Sequence, residues 1–491
     1  MKKISILFFS VFTLLLHTSA QDAGFTAVKV DIDFGNKIRE WDGFGFNYVE
    51  TAQTADYSQD PQEYGGFSLL DENEKKEIID LVFGEDGLKV GIVKMFLDPW
   101  HQEKAGGPFD HETTTKYMRE FVKGGITKTR ARGADLKIIT TLYGPPPFIT
   151  QQKFIRGRDM DPTMKDELCE YFVDWVKYLK KNDYPIKYVS LHNEGEDWTR
   201  WPADGKSGNI GHGHDYNMYW PTDLINEMIV MVRGQLDKEG YKDVGVTNGE
   251  NTNWNRFANW GYAYGLYDNE KALKNLSLIT SHGFFHGVIG TRWFGDHESR
   301  GIDMLREKRP ELKAWVTSTS WSKMDPYFIT EMQGNIYTTK INAIIPWAGI
   351  QRPVKWVGGD PNPGSAIWVN EDGSYKVLDG YYFYKQVSRA GQPGMSVVRA
   401  TSRSAEAPVI AFGSNGTKNP DALVLVNNSD RWEKKMQVNL KGTKAKKFKA
   451  YRTTKGDDGE KYKEVGEFEV KDGVFIDTLP VNSVTTYFAV Q

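Results

Sequence analysis

The sequence predicts an α/β chain: a parallel (β/α)8 barrel with an attached all-β sandwich. Three observations carry this. Eight short apolar runs recur between residues 43 and 350, amphipathic stretches separate them, and after about Met395 the pattern changes to short alternating strands. At 491 residues the chain has room for one large barrel and a small second domain.

In chain order, Lys2 and Lys3 precede an apolar stretch, Ile4 to Leu16, and the small residues Thr18-Ser19-Ala20. This is the pattern of a cleaved secretory signal over 1–20, and the apolar stretch is short for a membrane span. No Cys follows the cleavage point, so no lipid anchor is expected there, and a secreted or periplasmic location is. Residues 21–40 alternate as strands that join the side sandwich, 41–390 form the barrel and 391–491 the sandwich. The single cysteine, Cys169, allows no internal disulfide and reads as a buried small apolar residue. A formal net charge of −3 implies neither nucleic acid nor an anionic membrane as partner.

The apolar runs are Gly43 to Tyr48, Leu88 to Leu97, Leu136 to Leu142, Ile186 to Leu191, Val244 to Thr247, Leu276 to Ser281, Leu312 to Thr317 and Ile341 to Ile350. Helical patterns over Glu72 to Val82, Thr113 to Arg132, Met164 to Leu179 and Thr222 to Leu236 lie between them. Strands such as Ala422 to Val426 and Lys447 to Tyr451, separated by turn clusters, make the sandwich. The charged stretch Lys441 to Lys449 reads as a solvated sheet edge.

In such a barrel the functional groups sit at the C-terminal ends of the strands. The richest end is the fourth, IKYVSLHNEGEDW, which closes on Asn193 and Glu194. A carboxyl beside an amide suits glycoside chemistry: the acid protonates a leaving oxygen and the amide holds a hydroxyl. Other ends carry Asp98 and His101, then Glu250, Asn251 and Trp254, then His282, Ser318 and Trp347. Trp198, Trp201, Trp220 and Trp254 follow ends four and five and are candidate stacking platforms, in a chain with 15 Trp and 24 Tyr. Together these make a sugar cleft the leading reading, with a polysaccharide or oligosaccharide as partner. No phosphate loop or dinucleotide fingerprint is present and no cofactor is implied. His212, His214 and Asp215 could ligate a metal but read as a polar loop rim, so no metal is expected.

The chain resembles glycoside hydrolase family 30 through WDGFGFNY (Trp41 to Tyr48), LYGPPPFI (Leu142 to Ile149), LHNEG, TSHGF, the linker GYYFYKQVSRAGQPGMSVV (Gly380 to Val398), LVNNS and LPVNSVTTYF. The resemblance implies a glycosidase with Glu194 as general acid and Asn193, His282 and Trp347 lining the subsite at the cleaved bond. Glu250, Asp98 and Trp254 are further candidates for substrate contact. One position departs from that family. Its nucleophilic Glu at the end of strand seven falls here on Ser318, in AWVTSTSW, between the expected Trp315 and Thr317. Lys94 likewise stands where the family usually has Arg, and Lys cannot give the same two-point hydrogen bonding.

Three readings of Ser318 are open. Another carboxylate acts, from Glu250, Glu196, Asp98, Glu50 or Glu331. The substrate supplies its own nucleophile. Or catalysis has been lost, leaving a sugar-binding descendant.

Overall fold

The computed structural model describes residues 27–51, 63–206, 217–285, 294–353 and 364–490. The expected signal segment and the loop with His212, His214 and Asp215 lie outside these residues. The chain divides into two compact units, residues 42–323 with 334–381, and residues 1–41 with 324–333 and 382–491.

The first strand, β1 (Val28–Glu40), belongs to the second unit. The next eight close a parallel barrel: β2 (Gly43–Asn47), β3 (Ile92–Leu97), β4 (Lys137–Leu142), β5 (Ile186–Ser190), β6 (Gly245–Thr247), β7 (Leu276–Ser281), β8 (Ala314–Ser320) and β9 (Ala343–Trp347). Strands buried on both faces read as unbroken apolar runs, which is why these segments stood out. Ile92, Ile139, Leu278, Trp315, Ala343 and Ile345 pack inside, with Tyr188 against them. Asp42, just before β2, takes Lys137 Nζ at 2.5 Å, Lys313 Nζ at 2.8 Å and Trp315 Nε1 at 3.0 Å. Burial alone would raise its pKa, but the two lysines outweigh burial and hold it below the ordinary value.

The helix Glu72–Phe83 starts on a capping box: Asp71 accepts from Asn73 N and Glu74 N, and Glu74 accepts from Asp71 N. The helices Lys116–Ala131, Lys165–Lys181 and Thr222–Lys238 follow β3, β4 and β5. No described helix is long and apolar enough to cross a membrane. A small sheet of β10 (Ile350–Gln351), β11 (Ile367–Val369) and β12 (Tyr375–Val377) follows β9.

The second unit holds β13 (Ser396–Ser402), β14 (Val409–Gly413), β15 (Ala422–Asn427), β16 (Lys434–Lys441), β17 (Lys447–Thr454), β18 (Lys463–Glu469), β19 (Val474–Leu479) and β20 (Ser483–Val490). With β1 they form one sheet in the order β18-β17-β20-β15-β14-β13-β1-β16-β19. The sheet folds back on itself as a sandwich, bringing Phe468 of β18 to 5.8 Å from Phe475 of β19 at its opposite ends. β1 runs antiparallel to β13 and parallel to β16, so the N-terminal strand fills a central place in a sheet otherwise built from the C-terminus.

Candidate active site

Past their last ladder residues, β5, β6 and β7 keep their parallel registration. Glu250 N donates to His192 O, Glu194 N to Glu250 O, and His282 N to Asn251 O, each at 2.8 Å. This brings Asn193, Glu194, Glu250 and His282 together at the C-terminal ends of neighbouring strands. The backbone bends sharply to do so. Glu194 holds φ 48, a left-handed conformation that non-glycine residues adopt at some cost. Gly249 holds φ 79, and a Cβ there would lie 2.1 Å from the His192 ring, so only glycine serves.

The side chains form a row of alternating charge. Arg200 Nη2 donates to Glu194 Oε2 at 2.9 Å. His282 Nδ1 lies 2.6 Å from Glu194 Oε1, and its Nε2 lies 3.0 Å from Glu250 Oε2. Lys94 Nζ donates to the same Glu250 oxygen at 2.5 Å and to Ser318 Oγ at 2.8 Å. Thr141 Oγ1 donates to Glu250 Oε1 at 2.7 Å. Lys94, Glu250, Glu194, His282 and Ser318 are all buried. A charged side chain inside an otherwise apolar strand, as Lys94 is in β3, must be paired, and Glu250 pairs it.

Burial pushes the Glu250 carboxyl up, but Lys94 and His282 outweigh it and bring it down to about 2. Burial pushes His282 down, but Glu194 and Glu250 outweigh it and hold it above the ordinary imidazole value. His192 is driven to about 4, chiefly by burial, so at neutral pH it is uncharged; its Nδ1 accepts from Gly195 N at 3.1 Å.

Ser318 lies on β8 and meets Lys94, so a basic side chain stands beside a hydroxyl that the sequence showed in isolation. Trp347 ends β9 half-buried, edge-on to Phe96 at 5.7 Å. Four other candidates stand apart from the row. Trp254 is 2% exposed and packs edge-on against Phe257, so its ring offers no face to a sugar. Asp98 Oδ1 accepts from Trp100 N at 2.9 Å and lies 3.5 Å from His101 Nε2. Glu196 is engaged by Thr252 N, Thr252 Oγ1 and Arg256 Nη1, which tie the loops after β5 and β6 together. Glu331 lies within the helix Pro326–Tyr337. Of the candidate platforms, Trp220 stacks on His192, Trp201 donates to Arg156 O, and Trp198 alone is open, at 56% exposure.

Arg200 and Thr141 escaped the sequence reading. Arg200 follows its partner by six residues on a short 3-10 turn, and Thr141 sits inside an apolar strand, so no spacing rule announces either. Among the described residues no group of three or more His, Cys, Asp or Glu could hold a metal ion.

Two acids near the first barrel strand set a pH dependence. Glu50 accepts from Met118 N at 2.6 Å, and Glu63 from Phe67 N and Ser68 Oγ, both at 2.9 Å. Burial raises each to about 7 from 4.5. The folded chain therefore binds more protons than the unfolded chain between these values, and stability falls as pH rises through that window. The loss is on the order of 3 kcal/mol per group. Urea midpoints at pH 5 and pH 8 should show this fall, and Glu63→Gln should remove about half of it.

The sequence matches no protein-family model and no curated protein. Solved structures do match in fold. A GH30 endoxylanase from Clostridium papyrosolvens C71 is 16% identical, with 94% of this chain and 100% of that one covered and a TM-score of 0.65. The catalytic domain of GH30 xylanase C from Talaromyces cellulolyticus is 14% identical, with 94% and 100% covered and a TM-score of 0.68. The endo-beta1,6-glucanase BT3312 is 14% identical, with 94% of each chain covered and a TM-score of 0.68. At these identities the likeness establishes the shared architecture, a (β/α)8 barrel with a β-sandwich.

Proposed function

We propose that the chain is an exported glycoside hydrolase acting on a polysaccharide or glycan, with Glu194 as proton donor. One observation carries this: Glu194 and Glu250, from neighbouring barrel strands, face the two nitrogens of one imidazole. A proton donor and a second carboxylate at the mouth of a barrel are the groups that glycoside cleavage requires. Lys94 links Glu250 to Ser318 of the seventh barrel strand by donating to both. Fold neighbours that are xylanases and an endo-beta1,6-glucanase support a polysaccharide as substrate. Export rests on the basic, apolar and small-residue order of 1–20.

One imidazole with a hydrogen bond on either side puts the two carboxylates on the order of 7 Å apart, wider than the ~5 Å of retaining enzymes. Glu250 at about 2 is also a weak base and has three donors on it. That separation fits the roughly 6.5–9.5 Å at which inverting enzymes admit a water, so it is the weak basicity of Glu250 that favours a second reading, a cleft that binds glycan without cutting it. Product analysis on a panel of polysaccharides, with the anomer followed by NMR, separates the two. Turnover that disappears in Glu194→Gln supports the hydrolase. Calorimetric binding without turnover supports the binder, and neither result on any glycan overturns both.

Restoring a carboxylate on β8 has a defined expected result. Ser318→Glu sets a second acid against an ammonium that already serves Glu250, in a space 1% exposed. Two buried carboxylates on one lysine cannot both stay ionised, and the added volume strains the core. The thermal midpoint should fall, and Glu250→Gln in the same chain should recover part of the loss. A coupling of about 0.5–3 kcal/mol in the double-mutant cycle is expected.

A further inference from the structure

The hydrolytic reading leaves open where the acid's proton resides, and the ring between the two carboxylates answers it. His282 presents Nδ1 to Glu194 at 2.6 Å and Nε2 to Glu250 at 3.0 Å. A neutral imidazole has one N–H and one lone pair. It would set that lone pair against a carboxylate oxygen unless that carboxyl carried the proton. Glu250 is not that carboxyl: one oxygen also receives the Lys94 ammonium and the other the Thr141 hydroxyl. The Nε2 proton is therefore fixed on the ring, pointing at Glu250. A single proton remains in the 2.6 Å link between His282 Nδ1 and Glu194 Oε1.

Resting on the hydrolytic reading, we propose that His282 is a positioning residue that stores the acid's proton, with Glu250 fixing the tautomer that makes the store possible. The groups facing the ring agree. Arg200, from the turn after β5, pairs with Glu194 and favours its ionised form at rest, which leaves the proton on nitrogen. Glu250, after β6, compensates the ring's charge. Lys94, from β3, opposes that charge but is itself neutralised by Glu250. His192, before Glu194, is uncharged at neutral pH, and Phe284 meets the ring edge-on at 5.8 Å without charge.

In the reaction the stored proton passes from Nδ1 to Glu194 and on to the glycosidic oxygen. The bond from that oxygen to the anomeric carbon breaks, and its electron pair stays with the leaving oxygen. One water is consumed: its oxygen joins the anomeric carbon and one of its protons restores the His282–Glu194 pair.

The test is a 15N NMR titration of the histidine-labelled full chain, with the His282 signals identified by their loss in His282→Asn. The expected result is an imidazolium protonated on both nitrogens that persists above the ~6.5 of a free imidazole. In Glu250→Gln the midpoint of that imidazolium should move down in the same titration, a readout that needs no turnover from the variant. A ring that carries no shared charge with Glu250 would keep its midpoint. A wild-type His282 that is neutral at pH 6, with one N–H, overturns the proposal and needs no variant to fold. Absence of turnover on any glycan overturns the hydrolytic reading instead, and is read apart from the NMR result.

Discussion

Glu194→Gln should lower turnover of an unactivated glycan by about 10²- to 10⁴-fold, the usual worth of general acid catalysis. A side-chain amide has the size of the acid but no proton to give. The loss should shrink on an aryl glycoside with an acidic leaving group, because that oxygen departs without protonation. This contrast separates a chemical defect from a folding defect. The same substitution also forfeits the ion pair with Arg200, so the thermal midpoint of the variant needs measuring beside its rate. Full activity on native glycan would remove Glu194 as the donor.

The largest effect on stability is expected from Lys94→Met. Methionine fills similar space but leaves Glu250, fully buried, without its ammonium partner. Breaking a buried pair from one side costs about 3–5 kcal/mol. His282 and Thr141 still donate to Glu250, which argues for the lower end, about 3 kcal/mol. Adding Glu250→Gln should recover much of it, since no bare charge is then left behind. Denaturant titration of both variants decides the point: a loss under about 1 kcal/mol would mean that Glu250 is not held as an anion. The pair also has its own pH signature. Glu250 is depressed from 4.5 to about 2, so its contribution is present above 4.5 and is lost as pH falls toward 2. Glu50 and Glu63 act in the opposite sense at higher pH, so stability should peak on the acid side of neutrality.

The barrel was legible because a parallel sheet buried on both faces writes itself as apolar runs. Leu276 to Ser281 is a strand from end to end, and Leu88 to Leu97 contains β3 at its C-terminal part, Ile92–Leu97. The strand ends gave Asn193, Glu194, Glu250 and His282 as candidates, since polar residues at those places stand out against the runs. Trp254 misled because an aromatic after a strand end reads the same whether it faces a cleft or a helix; here it begins the helix Trp254–Asn259 and packs on Phe257.

By itself the sequence determined the period, and the period determined the barrel, its order of strands and the change to a sandwich. It also put Ser318 at the place where the resemblance implies a carboxylate. What it left open was which charges meet. Lys94 and Glu250 are 156 positions apart, and Lys94 and Ser318 are 224 apart. No local rule links such residues; closure of the barrel does, by turning the ends of β3, β6 and β8 toward one axis. Only the tertiary structure decides that Glu250 is an anion locked under His282, because its charge state is set by buried groups that converge on it from separate strands.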